Sequence, residues 1–548
     1  MSAQRSGLDA QARRDALILF VGALLVRLLV AWPMQRPGYM DAAYYVDSAL
    51  ALHEGRGFNL PLLWNYLPHG AAGLPPADLP APSHLYWMPL TSLLISASFA
   101  VLGPSYRAAQ VPSILLSALL PLLAYRVAYQ ASRSLAPDEP ARARRHARCA
   151  GLLAIWSGFY TAYWVTPDSF ALFGLLGALC LWAWGRAGQP EPGRARAAWF
   201  ALAGACAGLA HLARADGLLL LVAGLLIGLV DWVRHLATGR PRRAWRLAGH
   251  LSIAVACYLA VMAPWFIRNL RAIGRPLSYA GLRTLWLTDY DDLYSYGKVL
   301  SLRTYLDWGW GNILCSKLRA LWLNAQTLLV VGWMIALAPL GLIGAWRLRR
   351  HVAFRPAWLY AALLYLAMSL AFTFPGWRGG MLHSTVALLP ALYAAAMEGL
   401  DTFVDWMARR RPTWQPDQAK QVFSAGLVVL ALALSAWLYL SNLDRYTGPH
   451  LYQQVAAWME QNAPSDARVM VNDPASFYYH SRLSSLPIPN ADLETVLAVM
   501  DRYDAGYLLL DANNASLQAL YRAPAGEDGL EKVNSFSNDQ TTAYLFKR

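Results

Sequence analysis

Apolar runs as long as a membrane helix recur from residue 16 to residue 440, separated by short polar segments. A helix needs about 17–25 mostly apolar residues to cross a hydrocarbon core of ~30 Å. By that measure the chain predicts spans at 16–32, 108–130, 149–165, 169–185, 198–213, 217–233, 248–267, 321–345, 356–374, 381–398 and 421–440, eleven in all. A further run, Tyr86 to Leu102, carries Pro89, ends at Gly103 and has no arginine-rich flank. It reads as a re-entrant or surface-lying helix, an assignment that keeps every later loop on its expected side. After residue 440 the pattern changes. YQQVAAWMEQNAP is an amphipathic helix stopped at Pro464, whereas ARVMV, AGYLLLD and TAYLFKR read as short strands, with a helix at Leu493 to Tyr503 between them. The expected fold is an α-helical multi-pass membrane protein with a small external α/β domain. Residues 1–440 form its transmembrane domain, including a large first external loop (33–107) and a second one (268–320), and residues 441–548 form the external domain.

Composition narrows the class. Of 548 residues, 57% are hydrophobic and 15% charged, against about 25% charged in soluble domains. The formal charge of +14 invites a nucleic-acid partner, but its distribution argues for a membrane. With these spans, Lys and Arg outnumber Asp and Glu about three to one in the N-terminus and the alternate short loops, and are near balance elsewhere. That asymmetry places the N-terminus inside and everything after Ser441 outside. The 23 tryptophans and 28 tyrosines suit interfacial belts. The N-terminus shows no signal-peptide cleavage pattern, because the first span runs directly into polar loop. Cysteines 149, 180, 206, 257 and 315 have no metal spacing and imply no disulfide framework.

Three sets of residues carry candidate chemistry. The stretch PGYMDAAYYVDSALALHEGRGF puts Asp41 just beyond the first span, with Tyr44, Tyr45 and Asp47 after it. Read locally, Asp41 is a helix N-cap. Asp168, in VTPDSFALFGLL, sits in a short external turn and also reads locally as a cap. Two carboxylates in the thin layer at the external face could instead supply a general base and a positioning group, since acids at that depth are costly unless used, paired or wet. The third set is cationic: Arg214 in HLARADG, Arg268 beside Asn269 in PWFIRN, and Arg378 with His383 in FPGWRGGMLHS. Singly these arginines snorkel, and His383 alone is a hydrogen-bonded packing residue. Together they suit a phosphate, which guanidinium forks bind bidentately. Asp289, Asp291 and Asp292 form an acidic run that reads as a solvated loop, so no metal or other cofactor is expected. No Gly-rich phosphate loop, HExxH or GxSxG motif occurs.

Asp41 in a long first external loop, Asp168, PWFIRN, RGGMLHSTVALLP and the tail segment VMVNDPASFYYHSRLSSLPIP occur in an order that resembles the bacterial polyprenyl-phosphate-dependent glycosyltransferases of the GT-C superfamily. Relatives there are the protein O-mannosyltransferases and the lipid A aminoarabinose transferase. The resemblance covers nearly the whole chain and lies in the ordered set rather than in any one motif. It implies a sugar donor carried on a polyprenyl phosphate, an acceptor that is a glycan, lipid or protein, and a location in the bacterial inner membrane among membrane lipids. It further implies Asp41 as base, Asp168 as an orienting group, and Arg214, Arg268, Arg378 and His383 at the donor phosphate. Tyr44, Tyr45, Asp47 and Asn269 are the implied substrate contacts. Two departures stand out. Ala42 occupies the place where the family often has Glu, leaving Asp47 as a substitute, and SHLYWMPLTSLL replaces a His-Pro-Pro-Leu-like segment. A transporter or flippase of lipid-linked sugars is the competing reading. It predicts internal repeats and broken helices meeting at mid-membrane, and the sequence shows no convincing repeat.

Overall fold

The structure is a computed structural model that describes residues 2–67, 78–190, 193–411, 413–525, 529–538 and 541–548. Residues 68–77, within the Pro/Gly-rich piece of the first external loop, lie outside that description. Contacts divide the chain into two compact units. One comprises Met1–Met34, Gln110–Trp265 and Ser316–Leu443; the other comprises Gln35–Ala109, Phe266–Cys315 and Asp444–Arg548.

The first unit is helical. Among the described residues, eight helices are long and apolar enough to cross a membrane: Tyr106–Leu135, Ser169–Ala187, Gly193–Ala213, Ala215–Ala237, Pro241–Ile273, Val352–Ala371, Thr373–Ala408 and Pro416–Leu440. Each coincides with a predicted span. The other three predicted spans differ, so the count of eleven is not reached by length and composition. Residues 16–32 belong to the helix Ser2–Ala31, whose apolar stretch includes Arg14, Asp15 and Arg27. Residues 149–165 are not one helix: Pro140–Ile155 stops, and a 3-10 turn at Gly158–Tyr160 follows. Residues 321–345 break in the same manner, where Trp310–Gln326 runs into a π turn and Met334 and Ile335 take φ of 50° and 56° before the helix Ala338–Leu348 begins.

The first break has a traceable cause. A helix end leaves carbonyls without donors, and an arginine at membrane depth is costly unless its donors are used. Arg27 is fully buried and donates to Ile155 O at 2.8 Å and Ala154 O at 3.3 Å. Beyond that end, Ser435 Oγ donates to Trp156 O and accepts from Gly158 N at 2.9 Å. Gly158 has a φ of +58°, which glycine alone adopts without strain.

Close packing elsewhere in this unit uses small residues, as membrane helices do. Helix Ala338–Leu348 lies against helix Leu389–Ala408 with Gly344 on one side and Gly399 on the other. A Cβ on Gly399 would stand 1.8 Å from Leu340 O, and one on Gly344 would stand 1.7 Å from Ala395 O. Near the end of Leu389–Ala408, Arg142, Arg145 and His146 enclose the buried Glu398 and Asp401, with Arg142 Nε 2.8 Å from Asp401. This network ties helix Pro140–Ile155 to the same helix.

The second unit is built on a five-stranded sheet. Its strand order is Ser485–Pro487, Val469–Val471, Tyr507–Asp511, Thr542–Lys547 and Glu531–Ser537; the first three are parallel and the last two join antiparallel. The predicted tail helix appears as Leu451–Asn462, and the second predicted helix at Leu493–Tyr503. The sheet does not end at its own edge. Leu62 bridges Ser485 in parallel, with Leu63 N–H donating to Ser485 O at 3.0 Å and Ser485 N–H to Pro61 O at 3.2 Å. Leu63, Tyr66 and Ala81 from the first loop then share a core with Met470, Leu486, Met500, Leu508 and Phe546. Helix Leu90–Leu102, from the predicted surface run, has 13 residues. At ~1.5 Å per residue it reaches about 20 Å, short of a ~30 Å core. It buries Thr91, Ser92, Ile95 and Phe99, and packs beside helix Met40–His53.

Gly399→Val should therefore force the two helices apart and lower thermal stability, at a cost of about 1–3 kcal/mol or more. Gly426→Val, with nothing within 4 Å of the added atom, should leave stability near wild type. Fluorescence-detected size-exclusion chromatography after graded heating measures both.

Candidate functional site

In the first unit the acid Asp168 precedes helix Ser169–Ala187 and caps it, accepting from Ser169 N–H with Oδ1. The partial positive charge of a helix N-terminus favours a carboxylate there. The residue is 1% exposed, and its Oδ2 lies 3.3 Å from His383 Nε2. The imidazole Nδ1 is 3.0 Å from Gly379 O, a group that only accepts, so Nδ1 carries a proton. The ring is fixed by stacking on Phe170, with centroids 3.9 Å apart.

The segment Met381–Thr385 that carries His383 is held from several directions. Tyr160 OH donates to Leu382 O at 2.8 Å and Tyr360 OH to Ser384 O at 3.3 Å. Ser384 Oγ donates to Asp216, whose other oxygen accepts from Arg214 Nε at 3.1 Å. Asp168, His383 and Arg214 are thus joined within one unit, through two residues that sequence reasoning did not select. Asp216 stood within the HLARADG motif and Ser384 beside His383, so the signal was proximity alone. Arg378 lies on the preceding kinked segment with its guanidinium 5.0 Å from the Trp377 ring centre; Arg319 lies 5.2 Å from the same centre, and Lys317 donates to Thr373. Lys317 and Arg319, two residues apart in SKLRALW, add cations that the sequence reading passed over.

In the second unit, Asp41 lies in the first turn of helix Met40–His53 and is half-buried. The N-cap is Tyr39, which makes no side-chain cap bond, so Asp41 is not the cap that local reading suggests. Tyr44 and Tyr45 are buried. Tyr44 OH accepts from His84 N–H at 2.7 Å, and Ser92 Oγ donates to Tyr45 O at 3.1 Å. Because the Ser92 proton is spent on that carbonyl, His84 Nε2, 3.0 Å away, must donate to Ser92 Oγ; Nδ1 lies 2.9 Å from Ser83 Oγ. Burial favours the neutral form of His84. Burial, with the charge of Arg268 adding to it, drives its pKa down to about 3, and burial lifts the Tyr44 phenol to about 12.

Arg268 donates to Phe58 O at 3.0 Å, Ser83 O at 3.1 Å and Asn269 Oδ1 at 2.9 Å, and Asn269 donates to Pro276 O at 3.1 Å. Part of its fork is thus spent on first-loop backbone. Asp47 is fully buried, with Oδ1 3.0 Å from Arg482 Nη1. Burial raises its pKa well above the carboxylate range against the pull of Arg482. Asp289 and Asp291 stay at the surface side of their loop, while Asp292 is buried, pairs with Lys298 at 2.5 Å and accepts from Thr288 and Asp289. Those bonds hold it below the usual carboxylate range despite burial.

No protein-family model matches the chain, and no curated protein matches it in sequence. Solved structures do. The oligosaccharyltransferase AglB of Archaeoglobus fulgidus, in complex with an inhibitory peptide and a dolichol-phosphate, superposes with a TM-score of 0.54 at 13% identity, over 93% of this chain and 70% of that one. ArnT of Cupriavidus metallidurans in the apo state gives 0.55 at 14% identity, over 96% of this chain and 97% of that one. The same protein bound to undecaprenyl phosphate gives 0.52 at 14%.

The neutral His84 has a pH signature. Its folded pKa lies below the unfolded value of about 6.5, so unfolding takes up a proton between those values. The stability that it contributes is complete above pH 6.5 and is lost as pH falls toward 3. The Tm of the wild type should fall more steeply from pH 7 to pH 5 than that of His84→Gln, as scanning fluorimetry would show. Equal slopes would remove His84 as a source of acid sensitivity. The structural matches run through both units and give the chain the fold of AglB and ArnT.

Proposed function

We propose that this protein is an inverting glycosyltransferase of the bacterial inner membrane. It moves a sugar from a polyprenyl-phosphate donor to a glycolipid, envelope polysaccharide or protein acceptor on the external face. The observation that carries this reading is the end-to-end likeness to ArnT, which covers both units of the chain. The dolichol phosphate and undecaprenyl phosphate held by the two similar proteins support a lipid-phosphate donor here. A nucleotide sugar would not be available on that face.

The acceptor hydroxyl or amine attacks the anomeric carbon while Asp41 takes its proton. A new bond forms opposite the phosphate, the C1–O bond breaks, and its electron pair leaves with the carrier phosphate. One displacement inverts the anomeric centre. Arg214, Arg268 and Arg378 stabilise the charge growing on that phosphate. Asp168 orients the acceptor, its carboxylate steadied by His383. Tyr44 and Tyr45 shape the helix that carries the base, and Asn269 holds the backbone beside Arg268.

Mass spectrometry of envelope lipids and glycans from cells with and without the protein should reveal one class of molecule carrying an extra sugar. Asp41→Asn, at matched expression, should lower that product by roughly 10²–10⁴-fold, the range for loss of a general base. A wild-type yield from Asp41→Asn would overturn the assignment. Alkaline phosphatase fused after the C-terminal domain should be active, because that enzyme folds only outside the cytoplasm; an inactive fusion would reverse the orientation.

A further inference from the structure

We infer that Arg482, in the C-terminal domain, is a positioning residue for transfer: by pairing with Asp47 it sets the helix that carries Asp41. The inference rests on Asp41 as the base.

Helix Met40–His53 has 14 residues, and Asp47 sits near its middle. Asp47 lies six positions beyond Asp41, about 9 Å along the axis. A tether at Asp47 therefore controls both the rotation and the tilt with which the first turn is presented. The tether is a hydrogen bond from Arg482 to an acid that is fully buried and whose Oδ2 has no hydrogen-bond partner among the described residues. A carboxylate in that position is a poor stability device, since an apolar residue of similar size would avoid the unmade bond. What the pair supplies is direction, because Oδ1 accepts from a single Nη1 at 3.0 Å.

The cation is preorganised. Arg482 ends helix Pro474–Ser481 in the left-handed conformation, with φ of 60°. Its guanidinium lies 5.5 Å from the ring centre of Tyr478 and 5.7 Å from that of Tyr479. Helix Pro474–Ser481 packs on helix Met40–His53. Two further clamps, Tyr44 with His84 and Tyr45 O with Ser92, fix the other sides of the helix, but both come from the first loop itself. Arg482 is the contact that brings the C-terminal domain into the reaction, and it gives that domain a task.

Three full-length variants test this in membranes of the producing cells, with the sugar-bearing product found by envelope mass spectrometry as readout at matched amounts of folded protein. Arg482→Met leaves the buried Asp47 without its donor and should lower both Tm and product. In the double variant Asp47→Leu/Arg482→Met the pair is replaced by apolar groups, so Tm should recover. Product should stay down about tenfold or more, the scale expected when a reacting group is misplaced. Amide exchange over residues 40–53 should remain faster than in the wild type. Arg482→Lys keeps the charge and should return product toward the wild-type level. A merely structural pair predicts recovery of product together with Tm; that result, or unchanged exchange over 40–53, overturns the inference. A wild type that makes no sugar-bearing product overturns the transferase reading instead, and exchange over 40–53 then decides on the Asp47–Arg482 tether by itself.

Discussion

The open edge of the five-stranded sheet is the constraint on which the second unit depends. An unpaired strand edge invites association with other chains, and proteins cover it. Here Ser485 is paired by Leu62 and Leu63, from the segment that follows helix Met40–His53, so the edge is closed by residues far upstream in the chain. Once residues 61–63 are committed to the sheet, Tyr66 and Ala81 follow into its core. Helix Met40–His53 is brought against helix Pro474–Ser481, and Asp47 meets Arg482. Loop and tail therefore form one hydrophobic core, and the acid at the head of the first loop is held by a domain rather than by a loop.

Most of the helical layout is legible in the sequence because hydropathy is a property of single segments. Eight apolar runs became eight long helices. The two broken runs were not legible, since what breaks 149–165 is the side chain of Arg27 on one helix and Ser435 on another. No local window contains those partners. The same holds in the sheet. Strands 469–471 and 507–511 are apolar and were expected, whereas Ser485–Pro487 ends in proline and Glu531–Ser537 has mostly exposed or half-exposed side chains. Those two pair by position rather than by pattern.

The candidate residues follow a similar rule. Asp168 and His383 were each singled out, but their 3.3 Å approach depends on a kink at Gly379 that the motif RGGMLHS does not announce. Asp47 was an implied substrate contact and a stand-in for the missing Glu; only the tail reveals its partner, Arg482. Arg268 looked like a phosphate ligand and spends part of its fork on Phe58 and Ser83 carbonyls. Sequence identifies groups that are costly to bury. It does not identify the partner that makes each burial tolerable.

Arg27 has a consequence for how the protein is made. A translocon-scale penalty of about 2.5–3.5 kcal/mol attaches to a lone arginine at the centre of an inserting helix. The carbonyls that accept its protons belong to residues 154 and 155, which leave the ribosome well after the first helix has reached the bilayer. Until they arrive, Arg27 lacks the two carbonyls to which it donates in the folded chain. The burial of Arg27 is therefore completed only by the helix that ends at Ile155, so the seating of one helix depends on the end of another.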